Sequence, residues 1–251
     1  MAILVLEHSD LARSGRLGAM LRDHGHRLEY LDLHHGDPLP NDLENVDGVI
    51  TMGGPMAPDD DSQPWIKGEL NLLKAAYEAD LPILGICLGS QLLTRALGGQ
   101  VEKRPDGQRI GWHDINLTST GREDPLLAGL PWNWNQAHWH SYQSASLPDG
   151  SQILAKTTDD DGIQIWKLGV RTYGFQCHPE INPETMQAWI QDEPVAVRNS
   201  GMTPDALMQM THQDWPEFER LTDRLFKACA MLLFPLEPRN LGLGQVSEIH
   251  H

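Results

Sequence analysis

A cysteine stands at a sharp strand-to-helix turn, in the segment Gly85-Ile86-Cys87-Leu88-Gly89. An apolar run precedes it and a helical pattern follows, which is the arrangement of a nucleophile elbow with cysteine in place of serine. The glycines on either side allow the chain to turn without Cβ clashes. Free N–H groups at the start of the helix favour a thiolate, and the Leu88 N–H would face an oxyanion formed beside the sulfur. The alternative is a buried structural cysteine in a tight turn.

A base for such a thiol is available in residues 175–180 (FQCHPE), which end a strand-like run. His178 and Glu180 are two residues apart, so their side chains share one face of an extended chain. We expect His178 to take the thiol proton and Glu180 to orient the ring and stabilise the imidazolium. Cys177 points to the opposite face, which favours a packing role. Alone, this segment also fits an ordinary loop, but beside the cysteine turn it indicates a catalytic pair.

A third segment, Met52-Gly53-Gly54-Pro55, follows another strand-like run. Two glycines at the end of a strand allow a backbone N–H to face a pocket, which would supply a second donor to an oxyanion. For this segment alone, a plain tight turn is the competing interpretation. Together, the three segments predict a cysteine-dependent acyl-transfer site.

These segments resemble the motifs of a known family. GGP at 53–55, GICLGSQLL at 85–93 and QCHPE at 176–180 are similar, in order and spacing, to the three blocks of class I glutamine amidotransferases. The resemblance implies a Cys-His-Glu triad that releases ammonia from the glutamine side-chain amide, with neither metal nor organic cofactor. The implied site residues are the nucleophile Cys87, the base His178, its partner Glu180, the oxyanion-hole donors Gly54 and Leu88, and the substrate-binding residues Gly53, Gln91, Ser141 and Tyr142.

Two departures from the family pattern affect what the resemblance implies. Tyr142 stands where the similar proteins frequently have Asp, which puts recognition of the substrate's α-amino group in doubt. Residues 181–251 follow the HPE block and read as helices, and a chain of 251 residues has no room for a second, ammonia-consuming domain. The chain therefore most resembles the stand-alone, GMP-synthase-like members of the family.

The elements that must position these residues read as an α/β fold. A continuous apolar run at 2–6 and strand-like segments at 28–33, 46–52 and 82–86 alternate with helical patterns, which predicts a mainly parallel sheet. The resemblance implies that this sheet is flavodoxin-like. The first helix is expected to be capped by Ser9 or Asp10. Between residues 101 and 178 the pattern predicts an antiparallel extension, with strands at 114–117, 137–140, 153–157, 163–168 and 172–177. Helices are expected at 184–191 and 204–233. We thus expect an amidotransferase domain at 1–190, a helical extension at 191–235 that packs on it, and a loose tail at 236–251.

Composition excludes several classes of protein. Lys and Arg number 19 against 35 Asp and Glu, for a formal charge of −16. Such acidity argues against nucleic acid and against anionic membranes as partners. The sequence contains no membrane-spanning run and no signal peptide, and its three cysteines are not a disulfide framework, so we expect a cytoplasmic protein.

Other residues invite alternative sites. His34 and His35 adjoin each other but lack a third metal ligand at a fixed spacing, so we expect no metal site. The run Asp59-Asp60-Asp61 reads as a solvated loop beside the pocket. Trp132, Trp134 and Trp139 are interpreted as core or subunit-contact residues.

The function that follows is hydrolysis of glutamine or of a γ-glutamyl amide through a γ-glutamyl thioester. A γ-glutamyl peptidase or hydrolase with a larger leaving group would use the same triad, and a non-catalytic regulatory module would keep the fold alone. The small-molecule substrate is accompanied by a possible partner, a synthase or acceptor protein. Its expected docking surface is the loop at 58–65 and the segment at 141–146. Independent hydrolysis is favoured because the helical extension completes a globule.

Overall fold

A central sheet of nine strands organises the protein in a computed structural model that describes residues 1–236. The strands are β1 (Ala2–Glu7), β2 (Leu28–Asp32), β3 (Val46–Thr51), β4 (Ile83–Ile86), β5 (Gln100–Lys103), β6 (Arg109–Leu117), β7 (Asn133–His140), β8 (Tyr142–Ser146), β9 (Gln152–Thr157), β10 (Ile163–Leu168) and β11 (Thr172–Phe175). Their order in the sheet is β2-β1-β3-β4-β11-β10-β9-β6-β7. The pairs from β2 to β11 are parallel and those from β11 to β7 are antiparallel. The α/β architecture with an antiparallel extension is therefore confirmed.

Helices cover both faces of this sheet. They are α1 (Gly15–Asp23), α2 (Ile66–Glu78), α3 (Leu88–Ala96), α4 (Ser119–Glu123), α5 (Pro183–Asp192), α6 (Pro194–Asn199) and α7 (Pro204–Ala228), with a π-helical turn at Cys229–Leu233. Every residue of β1, β4 and β11 is buried, as the continuous apolar runs of the first two predict. Within residues 1–236, no helix is long and apolar enough to cross a membrane.

The first helix begins later than predicted. Ser9 and Asp10 do not cap it, because α1 starts at Gly15. Instead, the Ser9 side chain accepts a hydrogen bond from the Leu11 N–H at 3.1 Å, and the Ser14 N–H donates to Glu7 Oε1 at 3.1 Å. These bonds fold residues 9–14 back over the end of β1, so Leu11 lies in a loop instead of on a helix.

The antiparallel strands are longer than their apolar residues indicate. β6 begins at Arg109 and β7 at Asn133, whereas the sequence predicts starts at 114 and 137. Three of the four added positions of β7 are Asn or Gln, and the fourth is Trp134. The strands β6 and β7 nevertheless pair in register along the whole of β7, from Arg109 with His140 to Asn116 with Asn133. The two-stranded ribbon of β5 and β8 is absent from the prediction because its residues are half-buried or exposed and show no apolar alternation.

The helical extension shares the core of the sheet. Leu221, Leu225 and Phe226 of α7 belong to the same buried cluster as Ile3 of β1 and Ile86 of β4. The Thr203 side chain caps α7 by accepting from the Ala206 N–H at 3.2 Å. Residues of α7 thus pack on the central sheet, while the division of the chain into a domain at 1–190 and an extension at 191–235 stays a prediction. Of the predicted tail at 236–251, residues 237–251 lie outside the described residues.

Candidate active site

The strand-to-helix turn after β4 carries Cys87 at the carboxyl edge of the parallel strands. The backbone of Cys87 has φ 51° and ψ −108°, a conformation that L-residues rarely adopt. Its N–H donates to the Phe175 carbonyl at 2.7 Å, which ties the turn to β11. On the other side, Gly89 packs so closely on β3 that an added Cβ would lie 2.0 Å from the Thr51 carbonyl oxygen. The fold holds this cysteine in a strained turn at the wall of a cavity.

The end of β11 brings His178 and Glu180 to the same edge. His178 Nδ1 lies 2.8 Å from Glu180 Oε1, and both side chains are almost completely buried. Burial lowers the pKa of His178, but the negative charges of Glu180 and Cys87 outweigh it and raise that pKa to about 10. Trp189 covers the imidazole edge-on, with ring centroids 4.8 Å apart. The site therefore favours an imidazolium at His178.

Cys87 and His178 meet at Gly53. A Cβ added to Gly53 would lie 3.1 Å from His178 Cε1 and 3.6 Å from Cys87 Cβ. The second ring nitrogen of His178, Nε2, has no hydrogen-bond partner within bonding distance among residues 1–236. Since Glu180 occupies Nδ1, Nε2 is the ring nitrogen that could exchange a proton with the Cys87 sulfur. Gly53 itself lies behind these two side chains, and the cavity wall begins at Gly54.

The two predicted oxyanion donors, Gly54 and Leu88, lie next to each other. Leu88 is the first residue of α3, where an N–H has no partner within the helix. Gly54 lines the cavity and packs against the Leu88 side chain, since an added Cβ would lie 2.9 Å from Leu88 Cδ2. The loop after β3 and the start of α3 are therefore in direct contact at this point.

The remaining predicted residues form the opposite wall. Gln91, Ser141 and Tyr142 line the cavity. The Gln91 side-chain amide donates to the Tyr142 carbonyl at 2.9 Å and to Gln176 Oε1 at 3.1 Å, so it holds this wall in place. The cavity encloses about 200 Å³. Pockets for drug-sized ligands enclose roughly 300–1,000 Å³, so this one favours a ligand the size of an amino acid.

Comparison with known proteins shows the family of this chain. The model of the class I glutamine amidotransferase family matches residues 16–196. This chain belongs to that family. It is 31% identical over 195 residues to the glutamine amidotransferase-like protein YfeJ of Salmonella typhimurium, covering 76% of this chain and 80% of that protein. It is also 33% identical over 156 residues to a glutamine-hydrolyzing GMP synthase of Staphylococcus aureus, where the match covers 61% of this chain and 28% of the synthase.

Solved structures show the same fold. A glutamine amidotransferase from Thermotoga maritima superposes with a TM-score of 0.81 at 24% identity, over 92% of this chain and 98% of that one. A glutamine amidotransferase from Methylobacillus flagellatus superposes with a TM-score of 0.82 at 23% identity, over 90% of this chain and 93% of that one. The architecture of this family member, including its antiparallel extension, is therefore that of known amidotransferases.

Sequence reasoning missed part of the cavity of this family member. Trp139 lines it and also packs against the buried cluster that contains Trp189, so its interpretation as a core residue is incomplete. Its indole N–H donates to Glu193 Oε2 at 2.9 Å, and Gln108 donates to the same oxygen at 3.0 Å. The interpretation holds for Trp134, which is buried, whereas Trp132 is 65% exposed and lies under the Arg122 guanidinium. In the sequence, the only feature that marks Trp139 as part of a cavity is its position between His138 and His140.

The structure also supplies the third group that His34 and His35 lack in sequence. The Asp10 carboxylate lies 3.4 Å from His34 Nε2 and 3.7 Å from His35 Nε2. Arg13 bonds the same carboxylate and neutralises the charge that a cation would need.

The acidic run Asp59-Asp60-Asp61 is held beside the cavity by Arg95, whose guanidinium lies 3.1 Å from Asp61 Oδ1.

Proposed function

We propose that this family member hydrolyses the side-chain amide of glutamine or of a γ-glutamyl amide. The Cys87 thiolate attacks the amide carbon, and the Gly54 and Leu88 N–H groups stabilise the resulting oxyanion. His178 then protonates the nitrogen as the carbon–nitrogen bond breaks, which releases ammonia and leaves a γ-glutamyl thioester. Water, deprotonated by His178, hydrolyses the thioester, releases glutamate and restores the thiol.

The observation that carries the proposal is the position of His178 between two negative charges. Glu180 binds Nδ1 at 2.8 Å, and the charges of Glu180 and Cys87 raise the pKa of the ring despite its burial. An imidazolium beside a thiolate can deliver a proton to the departing nitrogen at neutral pH. A regulatory module without turnover would not need this buried ion pair, which costs desolvation.

A larger leaving group is the second candidate. A neighbouring cavity adjoins the first, and the two share Gln108, Asp192 and Glu193 in their walls. This opening could receive the amine portion of a γ-glutamyl amide, as in a γ-glutamyl hydrolase. Comparing glutamine with γ-glutamyl alkylamines under steady-state conditions separates the two candidates.

A synthase or acceptor protein is the proposed partner in the case where ammonia is passed on. The match to the glutamine-hydrolyzing GMP synthase covers 28% of that protein, so the synthase contains much more than the matched region. The proposed docking surface is the loop at 58–65, which follows the cavity-lining residue Ala57, and the segment at 141–146, which begins with the lining residues Ser141 and Tyr142. The charge of −16 favours a basic face on that partner.

The test is a glutaminase assay on the purified chain, with Cys87→Ala as the control. Turnover on the order of 1 per second or faster, lost in Cys87→Ala, supports independent hydrolysis. Turnover orders of magnitude slower, with Cys87 still alkylated by a glutamine chloroketone, would indicate partner gating. Full activity in Cys87→Ala contradicts the proposal.

A further inference from the structure

A buried ion pair lies behind the glycines that follow β3. His8, at the end of β1, and Glu69, in α2, are completely buried, and His8 Nε2 lies 2.8 Å from Glu69 Oε2. The other oxygen of Glu69 accepts a hydrogen bond from the Thr51 hydroxyl at 2.6 Å. A buried ion pair is costly to desolvate and adds little stability over apolar packing. Neither residue lines the cavity.

Both ring nitrogens of His8 face acceptors. Nε2 faces the Glu69 carboxylate, and Nδ1 lies 3.0 Å from the Met52 carbonyl oxygen. A ring that donates on both sides carries both protons and is an imidazolium. Burial lowers the pKa of His8, but Glu69 and backbone hydrogen bonds to Met52 and Gly53 outweigh it and raise that pKa. The charge therefore lies directly behind the Met52–Gly53–Gly54 backbone.

This charge fixes the start of the loop after β3. The Met52 carbonyl accepts from His8 and also from the Gly89 N–H, at 3.0 Å in each case. Gly53 and Gly54 follow this fixed carbonyl directly, and Gly54 lines the cavity.

Packing holds the same arrangement from both sides. An added Cβ at Gly54 would lie 2.8 Å from His8 Cβ, so the glycine sits directly against the histidine. On its other side the Trp65 ring packs on the imidazole, with centroids 4.7 Å apart. Shifting this backbone would therefore separate the Met52 carbonyl from a buried cation.

We propose that the His8–Glu69 ion pair is a positioning device for the oxyanion hole. It holds the Met52 carbonyl against the imidazolium and the Gly54 backbone against the His8 side chain, and it thereby positions the Gly54 N–H for the oxyanion that forms beside Cys87. His8 and Glu69 act through the backbone and touch no substrate. The inference rests on the proposed function, since it assigns a role within the same reaction.

The test compares two reactions of the same thiol in Glu69→Gln. Hydrolysis passes through an oxyanion, whereas alkylation of Cys87 by iodoacetamide displaces iodide and forms none. Complete loss of one oxyanion donor costs about 10²–10³-fold in kcat, so a misaligned donor should cost about 10- to 100-fold. We expect that fall in kcat, with KM changed by less than about threefold and the alkylation rate unchanged.

The matched control is Lys167→Met. Lys167 forms a comparable pair with the fully buried Asp124, at 2.6 Å, and neither residue lines the cavity. We expect its ratio of hydrolysis to alkylation to stay at the wild-type value. If Glu69→Gln lowers both reactions equally, or lowers neither, the inference is overturned. If Glu69→Gln does not fold, Thr51→Val takes its place, since it removes one hydrogen bond to Glu69. This variant should lower the ratio of hydrolysis to alkylation several-fold. An unchanged ratio in Thr51→Val also overturns the inference.

Failure of the proposed function has a different signature. If the wild-type chain shows no hydrolysis while Cys87 is alkylated, kcat is replaced by the affinity for glutamate γ-semialdehyde. This aldehyde forms a tetrahedral thiohemiacetal with the thiol. Weaker binding by about 10- to 100-fold in Glu69→Gln, but not in Lys167→Met, supports the positioning role. Equal affinity in all three proteins overturns it.

Discussion

His178 Nδ1 and Glu180 Oε1 are joined at 2.8 Å in a pair that solvent barely reaches. Because Glu180 occupies Nδ1, the proton on Nε2 is the one available for transfer, and Nε2 has no bonding-distance partner among residues 1–236. The carboxylate also stabilises the charged ring, which burial alone would disfavour. One carboxylate thus determines both the orientation and the charge of the proposed base.

Selective labelling should identify Cys87 as the nucleophile. Burial raises the pKa of both Cys177 and Cys229, so these thiols stay protonated at neutral pH. We expect a glutamine chloroketone to modify Cys87 first, as located by mass spectrometry of tryptic peptides. Cys177→Ala serves as the control and should label like the wild type. Modification mainly at Cys177 or Cys229 would show the assignment to be wrong.

Removal of the Glu180 charge should slow the reaction without abolishing it. In Glu180→Gln the imidazolium loses its stabilising partner, so we expect kcat to fall by about 10²–10⁴-fold while Cys87→Ala loses all covalent turnover. The pH profile of kcat should shift in parallel, because the pKa of His178 drops when the carboxylate is removed. Identical pH profiles in the two proteins would contradict the role given to Glu180.

The same pair makes stability depend on pH. His178 has a pKa raised to about 10 in the folded protein and of about 6.5 when unfolded. Its stabilising contribution is therefore complete below pH 6.5 and is lost as the pH rises toward 10, at no more than about 1.4 kcal/mol per pH unit. Urea unfolding across this range should give a shallower decline for Glu180→Gln. Parallel curves would show that the pair contributes no such linkage.

The rim of the cavity should affect substrate binding. Glu193 accepts hydrogen bonds from Trp139 and Gln108, so its removal frees both donors and loosens the wall between the two cavities. We expect Glu193→Ala to raise KM by about 3- to 10-fold with a smaller effect on kcat, the pattern for loss of ground-state binding. Glu217→Ala, which removes an exposed pair with Arg220, is the matched control and should behave as wild type. A fall in kcat at constant KM would place Glu193 in the chemical step instead.

Close packing at the cysteine turn should make Gly89 intolerant of a side chain. An alanine Cβ would lie 2.0 Å from the Thr51 carbonyl oxygen, which is backbone and cannot move aside. We expect Gly89→Ala to lower the free energy of unfolding by more than about 3 kcal/mol. Gly169→Ala introduces strain at φ +62° with no atom within 4 Å, and should cost only about 1 kcal/mol. Equal denaturation midpoints for the two variants would disprove the clash.

The sequence by itself determined the parts of this protein that depend on local chemistry. β1 and β4 consist almost entirely of apolar residues because strands covered on both faces need apolar side chains at nearly every position. The Cys87 turn is readable because Gly85 and Gly89 are required beside it. Likewise, the two-residue spacing of His178 and Glu180 puts both side chains on one face of the chain.

Only the tertiary structure decided which distant residues meet at this edge. Glu69 of α2 forms a hydrogen bond with His8 at the end of β1, and Glu193 at the end of α5 accepts one from Trp139 of β7. In the sequence, each of these is one carboxylate among 35 acidic residues, with no local pattern to mark it. Their partners are fixed by how α2 and α5 pack on the sheet. Packing of this kind is a sum of many apolar contacts, and local spacing does not encode it.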